Sequence, residues 1–155
     1  MRKRRNQRGL TLVELIVAFT ILTMLTAMAV PLARYKVRRD QERELRWALR
    51  EMRLAIDKYK DAADLGTLGP TKVGTENYPV TLEILVEGVK TTGAEDKKMR
   101  FLRRIPEDPF TKSTDWGKRS TADDPKSQSW GGQNVFDVYT KTMEKAADGT
   151  PYSDW

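Results

Sequence analysis

The chain has 155 residues, 39% apolar and 32% charged, with no cysteine and no histidine. That suits one modest folded domain plus an accessory segment. It excludes a disulfide framework, a thiolate zinc site and a lipid on cysteine, and it removes the histidine base of Ser-His-Asp and Cys-His catalysis. Any metal would take oxygen ligands, which favours calcium or magnesium.

The formal charge of +6 first points to nucleic acid, but its distribution does not. Arg2, Lys3, Arg4, Arg5 and Arg8 all precede an apolar run, and without these five the remainder is nearly neutral at +1. A basic cluster beside an apolar span reads as a topology signal. The run, Leu10 to Leu32, is 23 residues with one charge, Glu14. As a helix it would measure about 35 Å at ~1.5 Å per residue, enough to cross a hydrocarbon core of ~30 Å. The positive-inside rule then places residues 1–9 in the cytoplasm and everything after Leu32 on the far side.

Two plain readings compete for this segment. One is a secretory signal peptide with Ala27-Met28-Ala29 as its cleavage site, although such apolar regions usually run ~7–15 residues and this one is longer and holds Glu14. The other is a simple membrane anchor whose Glu14 snorkels to the headgroups. Arg4-Arg5 alone is weak evidence for twin-arginine export. A third reading uses more residues. Gly9-Leu10-Thr11-Leu12-Val13-Glu14, behind a basic leader and ahead of a long apolar run, resembles the prepilin signal of the type IV pilin and type II secretion pseudopilin superfamily. The resemblance implies cleavage between Gly9 and Leu10 by a prepilin peptidase, methylation of the new amino terminus, and Glu14 as the fifth mature residue. The family usually has phenylalanine after the glycine, where this chain has Leu10. Pro31 matches a proline that commonly interrupts the family's helix.

A carboxylate in a membrane costs on the order of 3 kcal/mol on insertion scales, less near the interface. Cleavage after Gly9 would create a partner for it, the α-amino group of Leu10. The resemblance implies that Glu14 meets the amino terminus of a neighbouring subunit during assembly, which offsets the desolvation of both charges and sets the axial register.

Beyond Pro31, where a kink or local unwinding is expected near Ala27–Pro31, the helix should continue. Leu45, Leu49, Met52, Ile56 and Tyr59 form one stripe of period ~3.6, with Ala48 and Ala55 on or near it. Glu42–Arg46 is a favourable i,i+4 pair and Asp57–Asp61 an unfavourable one. The stripe lasts about two heptads, so it predicts a helix laid on its own domain rather than a coiled coil. Arg38–Arg46 reads as a solvated face, and Trp47, off the stripe, as a half-buried edge.

From Ala62 the composition changes. LGTLGPTKVGTENYP reads as a loop. PVTLEILVEG predicts a short helix with Pro79 in its first turn and Gly88 as its stop. FLRRI, 101–105, predicts a strand closed by a turn at Pro106-Glu107-Asp108-Pro109. Residues 111–133 are polar, with Trp116 and Trp130 as anchors. NVFDVYT, 134–140, predicts a strand with Phe136 and Val138 on one face. The expected fold is α+β and pilin-like: a long amino-terminal helix, membrane-spanning in its first half and amphipathic in its second, packed on a small antiparallel sheet. The divisions are a leader 1–9, a membrane or filament-core helix 10–32, its amphipathic continuation 33–61, and a carboxy-terminal region 62–155.

The resemblance then narrows. Tyr78-Pro79 followed by Leu82-Glu83-x-Leu85-Val86, then Arg104-Ile105-Pro106-x-Asp108-Pro109-Phe110, Phe136-Asp137-Val138-Tyr139 and a closing Asp148-Gly149 … Asp154-Trp155 are similar to the major pseudopilins of type II secretion, in that family's order. The stretch Thr111–Gly132 departs from the compact loop of the family. The resemblance implies a structural subunit that polymerises with itself from the inner membrane into a periplasmic fibre that drives protein export. It also implies an inner-membrane assembly platform and minor pseudopilins as partners, and no nucleic acid. Such pseudopilins bind calcium in their carboxy-terminal loops through carboxylates and backbone carbonyls. Asp148 and Asp154 are the calcium candidates here, with Asp123-Asp124 as a second pair; aspartate before glycine is equally ordinary turn chemistry, and the spacing is no EF-hand.

A type IV surface pilin or a DNA-uptake pilin would share the amino-terminal motif. The former often carries a disulfide-bounded loop, which this chain lacks, and the latter predicts a basic stripe with aromatic residues. A membrane-anchored or secreted enzyme would have to work through carboxylates such as Glu107-Asp108 or Asp123-Asp124. No phosphate loop or nucleophile motif accompanies them.

Overall fold

The computed structural model describes residues 11–155, with the backbone alone for 94–97. The chain divides into two compact units, one ending at Asp40 and the other spanning Gln41–Trp155. Helix α1, Leu12–Asp64, contributes to both, and its helical pattern continues through Pro31.

In the first unit the large apolar side chains from Leu12 to Leu32, Phe19, Leu22 and Leu25 among them, are exposed on every side of the helix. An all-round apolar helix needs an apolar environment that it does not supply itself. Its threonines are adapted to one. Thr20 donates its hydroxyl to the Ile16 carbonyl (2.8 Å), Thr23 to Thr20 (2.9 Å) and Thr26 to Leu22 (2.8 Å). Each polar group is returned to its own helix.

In the second unit α1 turns amphipathic. Leu45, Ala48, Leu49, Met52, Ala55, Ile56 and Tyr59 are all buried, as their spacing predicted. They form one core with Leu82, Leu85, Leu102, Trp116, Val135, Val138 and Tyr152. Trp47 is 61% exposed rather than half-buried, because the carboxy-terminal region covers the stripe and leaves that edge to solvent. The helix ends in a Schellman arrangement: Gly66 takes φ +66°, its amide meets the Ala63 carbonyl (3.0 Å), and the Thr67 amide meets that of Ala62 (3.1 Å). Glycine suits this left-handed position because it carries no Cβ.

Helix α2, Glu83–Glu87, stops at Gly88 as expected, with φ 82°. It starts later than expected. Pro79 lies ahead of it, and the Pro79 carbonyl is committed to the Val135 amide (2.8 Å) rather than to a first helical turn. Strands β1, Val89–Thr91, and β2, Ala94–Met99, form an antiparallel hairpin turning at Thr92-Gly93. The strand expected at 101–105 is irregular. The amides of Phe101 and Leu102 both donate to the Leu85 carbonyl (3.0 Å each), so the end of α2 takes bonds that a ladder would need.

Strands β3, Gly117–Arg119, and β4, Asp137–Tyr139, form a second antiparallel pair with Gly117 opposite Tyr139. The Tyr139 ring lies across Gly117, where any Cβ would collide with it. The antiparallel pairing is thus split into two ribbons rather than one small sheet. Phe136 precedes β4 and is half exposed against the Tyr78 ring (5.3 Å between centroids), so it does not share the buried face of Val138; Val135 is the buried neighbour. A 3-10 turn α3, Tyr152–Asp154, closes the chain.

Candidate functional site

The amino-terminal end of α1 is built from a short local pattern. Thr11 precedes the first helical residue, and its hydroxyl oxygen accepts the Glu14 amide at 3.3 Å, while its carbonyl accepts the Leu15 amide at 3.1 Å. This is an N-cap with glutamate at the third helical position, the Thr-x-x-Glu capping arrangement. The pattern stands in the sequence, where the long apolar run drew attention away from it. A carboxylate in a first helical turn also faces the positive end of the helix dipole. Glu14 is therefore held where the chain enters the helix, the single charged side chain between Leu12 and Leu32. Gly9 and Leu10, the expected processing residues, and the leader 1–9 lie outside the described residues. Pro31 lies inside the helix.

The carboxy-terminal loops are held by a different set of groups. Asp108, 2% exposed, accepts the amides of Phe110 (2.8 Å) and Thr111 (3.4 Å) on one oxygen and the Thr140 hydroxyl on the other. The turn expected at Pro106–Pro109 thus begins at Asp108, whose carbonyl accepts the Lys112 amide (2.9 Å). Both tryptophans are anchored through their ring N–H groups, Trp116 to the Pro106 carbonyl and Trp130 to that of Asn134, each at 2.8 Å. Tyr152 donates its hydroxyl to Glu42 on α1 (2.7 Å) and stacks on Phe110.

Asp137 lies between two arginines. Arg53 from α1 donates to it at 2.7 and 3.4 Å, and Arg119 from β3 at 3.3 Å. Arg53 also donates to the main-chain oxygens of Val138 (3.2 Å) and Trp155 (2.7 Å), and Arg119 to those of Ser127 (2.9 Å) and Ser153 (3.1 Å). Sequence reasoning missed this group, since residues so far apart in the chain carry no local signal of contact.

The calcium candidates sit in different local settings. Asp148 accepts the Thr150 amide (2.9 Å), and that bond holds its carboxyl below the usual aspartate value. Asp154 lies exposed in α3. Asp123 accepts the amides of Ser120 (2.7 Å) and Gly131 (3.0 Å), which lower its carboxyl in the same way, and Asp124 is exposed. Among the described residues there is no group of three or more acidic side chains able to hold a metal ion. A calcium site takes 6–8 oxygens, several from carboxylates, and this donor set does not fit one.

Comparison with known proteins bears on both units of the chain. A family described as the prokaryotic N-terminal methylation motif matches residues 4–30. Over 147 residues the chain is 31% identical to the type II secretion system core protein G of Vibrio cholerae serotype O1 (strain ATCC 39315 / El Tor Inaba N16961), covering 90% of this chain and 83% of that protein. No solved structure matches the chain significantly.

Proposed function

This chain belongs to the family of type II secretion system core protein G, the major pseudopilins, and from that premise we propose how its parts work. The basic leader stays on the cytoplasmic face, and a prepilin peptidase cuts between Gly9 and Leu10. The new amino terminus is methylated. Residues from Leu10 to Leu32 hold the subunit in the inner membrane, with the carboxy-terminal region in the periplasm. Subunits then leave the bilayer and polymerise into a pseudopilus from an assembly platform, together with minor pseudopilins.

One observation carries this reading. The methylation motif at residues 4–30 runs into the part of α1 from Leu12 to Leu32, whose large apolar side chains are exposed and whose single charge, Glu14, lies in the first turn. In this reading Glu14 pairs with the amino group of a neighbouring Leu10. Burying both charges is tolerable only if each satisfies the other. Pro31, lacking an amide and crowding the preceding turn, marks where the helix bends or loosens on packing. The work is structural, and no residue is assigned a catalytic role.

The test is the intact mass and amino-terminal sequence of the protein purified from its native membrane. The expected chain starts at methylated Leu10. A start at Met1 would leave a plain anchor, and a start at Val30 would mean an ordinary secreted protein; either result overturns the reading.

A further inference from the structure

We propose that the pair of arginines on Asp137 does in this chain the work that a divalent cation would do, so that the carboxy-terminal loops fold and stay folded without calcium. The inference concerns the Gln41–Trp155 unit and stands whether or not the subunit assembles.

The argument starts from the oxygens. The main-chain oxygens of Ser127, Val138, Ser153 and Trp155 and both carboxylate oxygens of Asp137 converge on two guanidinium groups. Four main-chain oxygens and a side-chain carboxylate make the kind of hard-oxygen set that calcium gathers. Here they are met by the N–H groups of two planar forks, with Arg53 Nη2 shared among Asp137, Val138 and Trp155, and a guanidinium keeps its charge at any relevant pH. Arg119 is 4% exposed and lies over the Tyr139 ring, 4.2 Å from its centroid. Both guanidinium charges face the Asp137 carboxylate. A further divalent cation brought to these oxygens would be repelled by both arginines and would find its ligands already occupied.

The network also ties the elements that a loop-bound metal would tie. Arg53 brings in α1, Arg119 brings in β3, and Asp137 brings in β4. Ser127 belongs to the 120–133 loop, and Ser153 and Trp155 to the closing turn. Two further acids of these loops, Asp123 and Asp148, each spend one carboxylate oxygen on local amides.

The experiment is thermal unfolding of the full chain in detergent, with 1 mM calcium chloride or with excess EGTA, for the native protein and for Arg119→Met and Arg53→Met. A site with micromolar affinity would raise the native midpoint by roughly 10 °C at that calcium concentration. The expected shift between calcium and EGTA is below about 1 °C on the same scale. Arg119→Met should lower the midpoint by roughly 10 °C, because it orphans buried acceptors, and the partly exposed Arg53 should cost about half as much. A native midpoint that rises with calcium overturns the proposal, as does an Arg53→Met variant that melts with the native protein. Should Arg119→Met fail to fold, the calcium comparison and Arg53→Met still decide the matter.

Discussion

The hydroxyl of Thr11 accepts the backbone amide of Glu14 at 3.3 Å, so the residue that opens helix α1 also positions the only charge in its apolar part. The two contributions separate by mutation. Glu14→Gln keeps the helix and its cap but removes the charge. It should insert and be processed normally, yet lose filament yield about tenfold or more, since a charge-assisted bond contributes ~1.5–3 kcal/mol. Thr11→Ala should weaken the helix start by ~1 kcal/mol and assemble close to native levels. Cross-linking of subunits in sheared filaments, with processing followed by mass, measures both. Equal loss in the two variants would mean that helix stability, and not charge, is what assembly requires.

The stripe in the second unit gives a contrast within one helix. Met52 is wholly buried and Trp47 is 61% exposed. Met52→Ala should cost about 2–5 kcal/mol through lost burial and a cavity. Trp47→Ala should stay within about 0.5 kcal/mol. Denaturant unfolding of the full chain in detergent would show it, and a large cost at Trp47 would mean that this edge is covered.

How much of this was legible depended on how local the signal is. The buried face of α1 stands in the sequence because Leu45, Leu49, Met52, Ile56 and Tyr59 repeat within one element. Gly88 was legible as a stop because a left-handed φ of 82° favours glycine. The hairpin of β1 and β2 was not, since its strands are short and polar with a register shift beside the turn. FLRRI has strand composition, yet its first two amides are claimed by Leu85, a residue of another element. At the site, Glu14 was legible from its isolation among apolar neighbours. Asp137 was not, because its partners lie 84 and 18 residues away in the chain.

Asp108 illustrates a buried acid whose oxygens are all used, by Phe110, Thr111 and Thr140. Asp108→Ala would leave two amides and a hydroxyl without their acceptor, at a cost of about 3 kcal/mol. Asp108→Asn, which retains one acceptor oxygen, should cost less. The order of the two midpoints in urea is the measurement, and equal midpoints would remove the carboxylate from the account.

Asp123 should make stability depend on pH. The amides of Ser120 and Gly131 hold its carboxyl below the usual aspartate value of about 3.9. A group depressed in the folded state stabilises it fully above the unfolded value, and that contribution disappears as pH falls through the folded value. Asp115, held down by Lys141, and Asp148, held down by the Thr150 amide, act with the same sign. Asp123→Asn should therefore melt below the native protein at neutral pH and converge with it as pH falls through the depressed folded value. Parallel curves across that range would contradict the assignment.

The hydroxyls of Thr20, Thr23 and Thr26 are spent on the carbonyls of their own helix. A surface finished in this way has no polar preference between acyl chains and the flanks of other helices. Moving from one to the other exchanges one apolar surrounding for another, with no hydrogen bonds to break or remake. On the proposed function the bilayer is then a reservoir, from which subunits are drawn and to which they can return. Glu14 is the address on an otherwise blank face, and it biases an exchange that would otherwise run equally well in both directions.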